Sequence, residues 1–163
     1  MRWMWIDKFI EFVSGECATS VKNVTLAEDV LQDHFPGYPV LPPTLMIEGM
    51  AQTAGILVGE ARNFAENVIL GKIRRAEFTD YARPGDQLQY HARIESHDEQ
   101  AALTSGIVTK NGIEIGRIDL IFSHVNQAIA GLDLPSHNFV FDGNFESLMD
   151  GVRALQRDRE ATK

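Results

Sequence analysis

The chain reads as an α+β protein, with one long buried helix near its middle followed by a series of antiparallel strands. Three observations carry that reading. Residues 44–58 are apolar almost throughout, with Glu48 as their single charge. Leu88, Tyr90, Ala92 and Ile94 alternate with polar residues, the period of a half-buried strand. Asn111-Gly112 separates two further alternating runs, and this dipeptide is a strong hairpin signal because both residues tolerate positive φ. A helix followed by a run of strands belongs to the α+β class.

Taken in order, residues 4–13 fit two patterns. Trp5, Ile6, Phe9, Ile10, Phe12 and Val13 would line a helix face, whereas Met4, Ile6, Ile10 and Phe12 alternate as in a strand. Ser14-Gly15 reads as a turn, residues 17–25 as a strand, and residues 26–33 as a short helical turn. Residues 34–43 hold four of the six prolines, so this stretch is stiff and extended. A proline at the first helical position suits the start of the following helix, since its missing N–H would have no partner there. Polar residues 60–66 connect to a long strand over 67–80, with Gly71 as a kink. Pro84-Gly85-Asp86 is a turn. Strands follow over 88–94, 100–109 and 113–124. Ile118, Leu120, Phe122 and His124 share one face of the last, but Ile113 and Ile115 fall on the other, which predicts a bulge near Gly116.

Residues 125–142 read as loop. From Asn144 onward, Phe145, Leu148, Met149, Val152 and Leu155 form a helical stripe. The expected organisation is one domain over residues 1–125 and a C-terminal extension over 126–163, a loop plus an amphipathic helix packed on that domain. A lid over a substrate entrance is the lesser alternative for this helix.

Composition narrows the function. The 163 residues carry 15 basic and 23 acidic side chains, a net charge of −8, which argues against nucleic acid as a partner. Cys17 is the single cysteine, so an intramolecular disulfide or a cysteine-built zinc site is excluded. His91, His97, His124 and His137 lack metal-ligand spacing, and no metal is expected. The apolar N-terminal run is broken by Asp7, Lys8 and Glu11, so neither a signal peptide nor membrane insertion is expected, and a cytoplasmic location fits.

Two residues stand out as chemistry. His34 sits on the stiff loop and Glu48 on the apolar helix. Glu48, Gln52, Gly55 and Gly59 share one helical face. Each glycine costs roughly 0.5–1 kcal/mol against alanine inside a helix, so close approach of a backbone or ligand is the expected reason for the pair. A carboxyl group in apolar surroundings suits general-acid work, and an imidazole suits a general base.

The stretch from His34 to Gln52 resembles the 3-hydroxyacyl-acyl-carrier-protein dehydratases of the FabZ type. Their signature reads His-Phe-Pro-Gly-His-Pro-Val-x-Pro-Gly-Val, three residues, then Glu-Ala-x-Ala-Gln. The chain matches at His34, Phe35, Pro36, Gly37, Pro39, Val40, Pro42, Glu48, Ala51 and Gln52, without a gap between His34 and Glu48. Lys22-Asn23-Val24-Thr25, Ala76-Glu77-Phe78 and Pro84-Gly85-Asp86-Gln87-Leu88 extend the likeness, which covers roughly residues 4–124.

This resemblance implies a hotdog fold, in which a curved antiparallel sheet wraps a long central helix and two subunits pair their sheets. It favours a strand over residues 4–13. It implies dehydration of 3-hydroxyacyl thioesters on acyl carrier protein to trans-2-enoyl thioesters, in fatty acid or related acyl-chain biosynthesis. The implied partners are acyl carrier protein and a second copy of the chain. The homodimer would share its active sites and could assemble further as a trimer of dimers. His34 would take the α-proton, Glu48 would help the β-hydroxyl leave as water, and Gln52 would orient the acid. Phe35, Gly37, Pro39 and Val40 would form the substrate loop. No cofactor is implied beyond the phosphopantetheine of the carrier. Docking of an acidic carrier needs a local basic patch, for which Arg62, Lys72, Arg74, Arg75, Arg83 and Arg93 are candidates.

The chain departs from this pattern at Pro43, where the family has glycine, and at Tyr38, where it has histidine. The glycine amide of the family is taken to hold the thioester carbonyl, and proline has no N–H. The Thr44 amide, one residue later, also lies in the helix's first turn and is the expected substitute. Two other readings stay open. One keeps the fold but changes the chemistry to a thioesterase or an acyl-CoA hydratase. The other is a non-catalytic acyl-binding or partner subunit, against which stand the retained His34, Glu48 and Gln52.

Overall fold

The computed structural model describes residues 3–125, 137–141 and 145–161. Its strands are β1 (Lys8–Val13), β2 (Cys17–Asn23), β3 (Asn67–Phe78), β4 (Gln87–His97), β5 (Ala101–Lys110) and β6 (Ile113–Val125). They form one antiparallel sheet in the order β1-β2-β4-β5-β6-β3. The helices are α1 (Asp29–Asp33), α2 (Pro43–Glu60) and α3 (Glu146–Ala161). Because β2 pairs with β4, the chain between them must leave the sheet. It runs through α1 and α2 and returns as β3 on the far edge. That excursion lays α2 across the inner face, where it touches β2, β3, β4, β5 and β6. This is the hotdog arrangement that the loop–helix stretch implied.

The turns follow the residues that permit them. In the β1–β2 turn the Glu16 amide donates to the Val13 carbonyl at 3.0 Å, with Gly15 at φ +71°. In the turn before β4 the Asp86 amide donates to the Arg83 carbonyl at 3.0 Å. Pro84 and the positive-φ Gly85 occupy its two central positions. Asn111 and Gly112 both have positive φ, 51° and 86°, as a two-residue hairpin turn of type I′ requires. The bulge expected near Gly116 lies at Ile115, which is skipped between the pairs Val108–Gly116 and Thr109–Glu114. The kink expected at Gly71 is a register shift between Leu70 and Lys72. A side chain at residue 71 would stand 2.8 Å from the Ser123 hydroxyl.

One boundary differs from expectation. The strand expected over residues 4–13 begins only at Lys8. Trp5 and Ile6 are buried, but the Trp5 amide donates to the Gln52 side-chain oxygen at 2.9 Å instead of to a neighbouring strand. Residues 3–6 therefore cross α2 rather than extend the sheet.

The core lies between α2 and the sheet, around Met46, Met50, Leu57, Leu88, Tyr90, Ile118 and Leu120. One of its close contacts is a ring against a helix backbone. A Cβ on Gly49 would lie 2.6 Å from Tyr90 Cε2 and Cζ. Tyr90 is itself completely buried, and burial pushes its hydroxyl pKa up. Gly49→Ala is therefore expected to destabilise the fold by roughly 1–3 kcal/mol, despite the gain in helix propensity. Urea unfolding measures this, and a variant as stable as the parent would mean that the Tyr90 ring has room to move.

The C-terminal helix packs against β1. Leu148 and Val152 join the core that holds Phe9 and Phe12, and Gln156 donates to Glu60 Oε1 at 2.8 Å. The loop expected over 125–142 falls mainly outside the described residues. Its described part, residues 137–141, is irregular and is fastened to the α2–β3 connection. Asn138 Nδ2 donates to the Phe64 and Glu66 carbonyls, each at 3.0 Å.

Candidate active site

His34 caps the C-terminal end of α1, with its amide donating to the Val30 carbonyl at 3.2 Å. Prolines and backbone pairing hold the loop beyond it. The Phe35 and Tyr38 amides donate to each other's carbonyls at 3.2 and 2.9 Å, around Gly37 at φ +77°. The Val40 amide donates back to the His34 carbonyl at 2.9 Å, and the Leu41 amide reaches the Ala82 carbonyl at 2.8 Å. Val40 is buried and Pro39 half-buried, whereas Phe35 and Tyr38 project outward.

The imidazole's tautomer follows from one contact. His34 Nδ1 lies 3.1 Å from the Val40 carbonyl. A carbonyl only accepts, so in the neutral imidazole Nδ1 carries the proton and Nε2 the lone pair. The Phe35 ring stacks on the imidazole at 4.2 Å. Tyr38, which replaces the resembled family's histidine, lies under the Arg83 guanidinium, 4.6 Å from its ring centroid, and accepts a hydrogen bond from it. The pair ties the loop to the turn before β4.

Glu48 is half-buried on α2. Its Oε1 accepts from Gln52 Nε2 at 3.0 Å and from the Trp3 indole at 3.1 Å. Gln52 is almost fully buried and held at both ends. Its Oε1 accepts from the Trp5 amide, and its Nε2 also donates to the Trp3 carbonyl at 3.1 Å. Gln52 thus fixes the direction of the Glu48 carboxyl group. Among the described residues, Glu48 Oε2 has no hydrogen bond. Sequence reasoning missed the tryptophans. Their signal was present as two indoles within three residues, ahead of any regular element.

A cavity of about 160 Å³ opens beside this carboxyl group. Glu48, Gln52 and Gly55 line it from α2, and Leu70 and Phe122 from the sheet. Gly55 thereby gains a reason, since it leaves space at the cavity wall. His34 does not line this cavity, and no hydrogen bond joins it to Glu48 within one protomer. At the start of α2, Pro42 is the cap and Pro43 the first helical residue. The Leu45 amide is engaged by the Pro42 carbonyl at 2.9 Å. Thr44 is exposed, and its amide at the second helical position has no intrahelical acceptor.

The remaining candidates lie elsewhere. His97 and His124 stack at 4.9 Å, with their Nε2 atoms 3.1 Å apart, and His124 Nδ1 faces Glu66 at 3.2 Å. Burial lowers both imidazole pKa values. His91 bridges Thr19 and Thr109 across the sheet's outer face. Among the described residues, no group of three or more histidine, cysteine or acidic side chains could hold a metal ion. Arg62 pairs with Glu66 and Arg75 with Glu77, while Lys72 and Arg74 are exposed on β3. Among the described residues, no helix is long and apolar enough to cross a membrane.

Comparison with known proteins adds the following. The family model of the FabA-like domain matches residues 4–118. The chain is 42% identical over 98 residues to the 3-hydroxyacyl-[acyl-carrier-protein] dehydratase FabZ of Rhodospirillum rubrum, a match covering 58% of this chain and 61% of that protein. It is 32% identical over 120 residues to the FabZ dehydratase of Oenococcus oeni, covering 73% of this chain and 86% of that one. The chain thus spans about three fifths of the length of the first curated relatives it matches, 61% and 62%. Among solved structures it is similar to the dehydratase heterocomplex ApeI:P of Xenorhabdus doucetiae. There the TM-score is 0.63 at 20% identity, over 77% of this chain and 90% of that one. It is also similar to a hypothetical thioesterase protein with coenzyme A from Streptococcus pneumoniae, with a TM-score of 0.60 at 8% identity, over 72% and 84%. These structures bear on the fold alone.

Proposed function

We propose, on the premise that the chain belongs to the FabA-like domain family, that it dehydrates 3-hydroxyacyl thioesters of acyl carrier protein to trans-2-enoyl thioesters. The setting is fatty acid or related acyl-chain biosynthesis. The observation that carries this reading is the arrangement of the acid and base. Glu48 is aimed by the doubly anchored Gln52 into an apolar cavity, and His34 presents an unprotonated Nε2 from a rigid loop.

The chemistry follows from those atoms. His34 Nε2 takes the α-proton, and the electron pair of the broken C–H bond moves toward the thioester carbonyl. The Thr44 amide stabilises the negative charge on that oxygen. The α–β double bond forms as the β-hydroxyl leaves, and Glu48 gives it the proton that makes water. A second proton transfer returns the acid and base to their starting states. Each group contributes through general acid–base catalysis, and the amide through preorganised electrostatics. Two side chains and one backbone amide supply every step, so no cofactor is required beyond the carrier's phosphopantetheine.

In this reading the site is shared, with His34 from one subunit meeting Glu48 from its partner in a homodimer. Support comes from β3, an edge strand whose residues Gly71–Glu77 are all exposed in the protomer. Unpaired strand edges invite pairing, and a second copy of β3 would satisfy this one. Residues 1–125 would form the catalytic domain and 126–163 an extension packed on it. Acyl carrier protein would dock through exposed cations such as Lys72 and Arg74. The free Cys17 fits a cytoplasmic setting.

Purified protein with 3-hydroxyacyl carrier protein tests the reaction, followed by formation of the conjugated enoyl thioester. Release of free thiol without enoyl product would favour a thioesterase and overturn the proposal. Pro43 gives a sharper test. If the Thr44 amide already holds the carbonyl, Pro43→Gly changes kcat/KM by less than about tenfold. A gain of about 10²–10³, the worth of one oxyanion donor, would mean that the native chain lacks that donor.

A further inference from the structure

We infer that the C-terminal extension closes the far end of the acyl cavity, with Phe141 as the wall that limits acyl chain length. This rests on the reading of the Glu48 cavity as the acyl site. Val140, Phe141 and Phe145, none of which belongs to the dehydratase-like region of the sequence, line the same cavity as Glu48. Their position along α2 sets their role. Phe141 lies over Gly59, where a Cβ would stand 2.8 Å from Phe141 Cε2. Eleven residues separate Glu48 from Gly59, roughly 16 Å along a helix axis. The α2 lining of the cavity runs from Glu48 to Ile56, and the Phe141 ring lies past it, over Gly59. This also accounts for Gly59, where the expected backbone or ligand is replaced by an aromatic side chain: only a residue without a side chain lets the ring lie against the helix.

The ring's placement is built by specific contacts. Asn138 Oδ1 accepts from the Val140 and Phe141 amides, each at 3.1 Å, while its Nδ2 holds the Phe64 and Glu66 carbonyls. The Phe139 amide donates to Asn67 Oδ1 at 2.9 Å. The Phe141 ring then meets Phe64 and Phe145 edge-on, with centroids 5.0 and 6.1 Å away. At about 160 Å³, the space that remains is small for a ligand cavity, commonly about 300–1,000 Å³. The structure thus assigns short acyl chains as substrates, with longer chains excluded by Phe141.

The test is a chain-length series of 3-hydroxyacyl carrier proteins, from four to ten carbons, with the parent and Phe141→Ala. The parent is expected to favour the shortest chains. Phe141→Ala should raise the ratio of kcat/KM for eight-carbon over four-carbon substrate by about tenfold or more, the discrimination a few methylenes provide. Leu148→Ala is the control, because Leu148 packs the C-terminal helix into the core but does not line the cavity. It should lower stability and leave the ratio unchanged. Phe141→Leu serves if the alanine variant does not fold. An unchanged ratio in a folded Phe141 variant, or a parent that prefers long chains, overturns the inference. A separate readout divides this from the catalytic reading. Binding of saturated acyl carrier proteins, measured by calorimetry, reports the cavity without turnover. A protein that turns over no chain length, yet binds longer chains only after Phe141→Ala, would refute the dehydratase and keep the wall.

Discussion

His34→Ala and Glu48→Gln each lower kcat/KM by about 10²–10⁴, the usual contribution of a positioned acid or base. The two substitutions remove different things and little else. His34→Ala deletes Nε2, the stacking surface of the Phe35 ring and one hydrogen bond to the Val40 carbonyl, the last worth about 1 kcal/mol of stability. The loop keeps its backbone pairing through Phe35, Tyr38 and Val40. Glu48→Gln keeps the volume and an oxygen that can still accept from Trp3 and Gln52, but it cannot give up a proton as an acid does. A loss after Glu48→Gln therefore reports acid chemistry rather than a disturbed wall. Steady-state kinetics in the hydration direction, with enoyl carrier protein, checks both. Retention of more than a tenth of the parent's activity by either variant would remove that residue from the mechanism.

Much of the loop and helix that carry the candidate site could be read from the sequence because their determinants are local. Four prolines in ten residues leave the His34 loop few conformations, and Pro43 marks the first helical residue. The Asn111-Gly112 and Pro84-Gly85 turns were legible for the same reason, since their residues match the dihedrals required. The bulge at Ile115 followed from a face change that a regular strand cannot accommodate. What could not be read depends on partners far away in the chain. Residues 4–13 satisfied a strand pattern, yet residues 3–6 leave the sheet because Gln52 offers the Trp5 amide an acceptor. Gly59 was recognisable as unusual, but its partner Phe141 lies beyond β6, and no periodicity links them. The assignment of a shared site came from family resemblance, because no local pattern states which subunit supplies which side chain.

The proposed sharing leads to the second large effect. An equal mixture of His34→Ala and Glu48→Gln subunits, reassorted into dimers, recovers about a quarter of parental activity, although either variant alone is nearly inactive. The reasoning is combinatorial for a two-fold symmetric dimer. If each site takes its imidazole from one subunit and its carboxyl group from the other, a mixed dimer contains one doubly damaged site and one intact site. Random reassortment makes about half of all dimers mixed, so about a quarter of all sites regain both groups. If each site were built within one subunit, every site would carry a lesion and mixing would restore nothing. The geometry favours the first case: Glu48 opens onto a cavity that His34 does not line, and β3 presents an unpaired edge over Gly71–Glu77. The measurement is activity after the two variants are unfolded together and refolded, compared with each refolded alone. Size-exclusion chromatography coupled to light scattering would confirm dimers in all three samples. Dimeric mixtures without recovered activity would place the acid and base in the same subunit, and the mechanism would then need a movement that brings His34 to the Glu48 cavity.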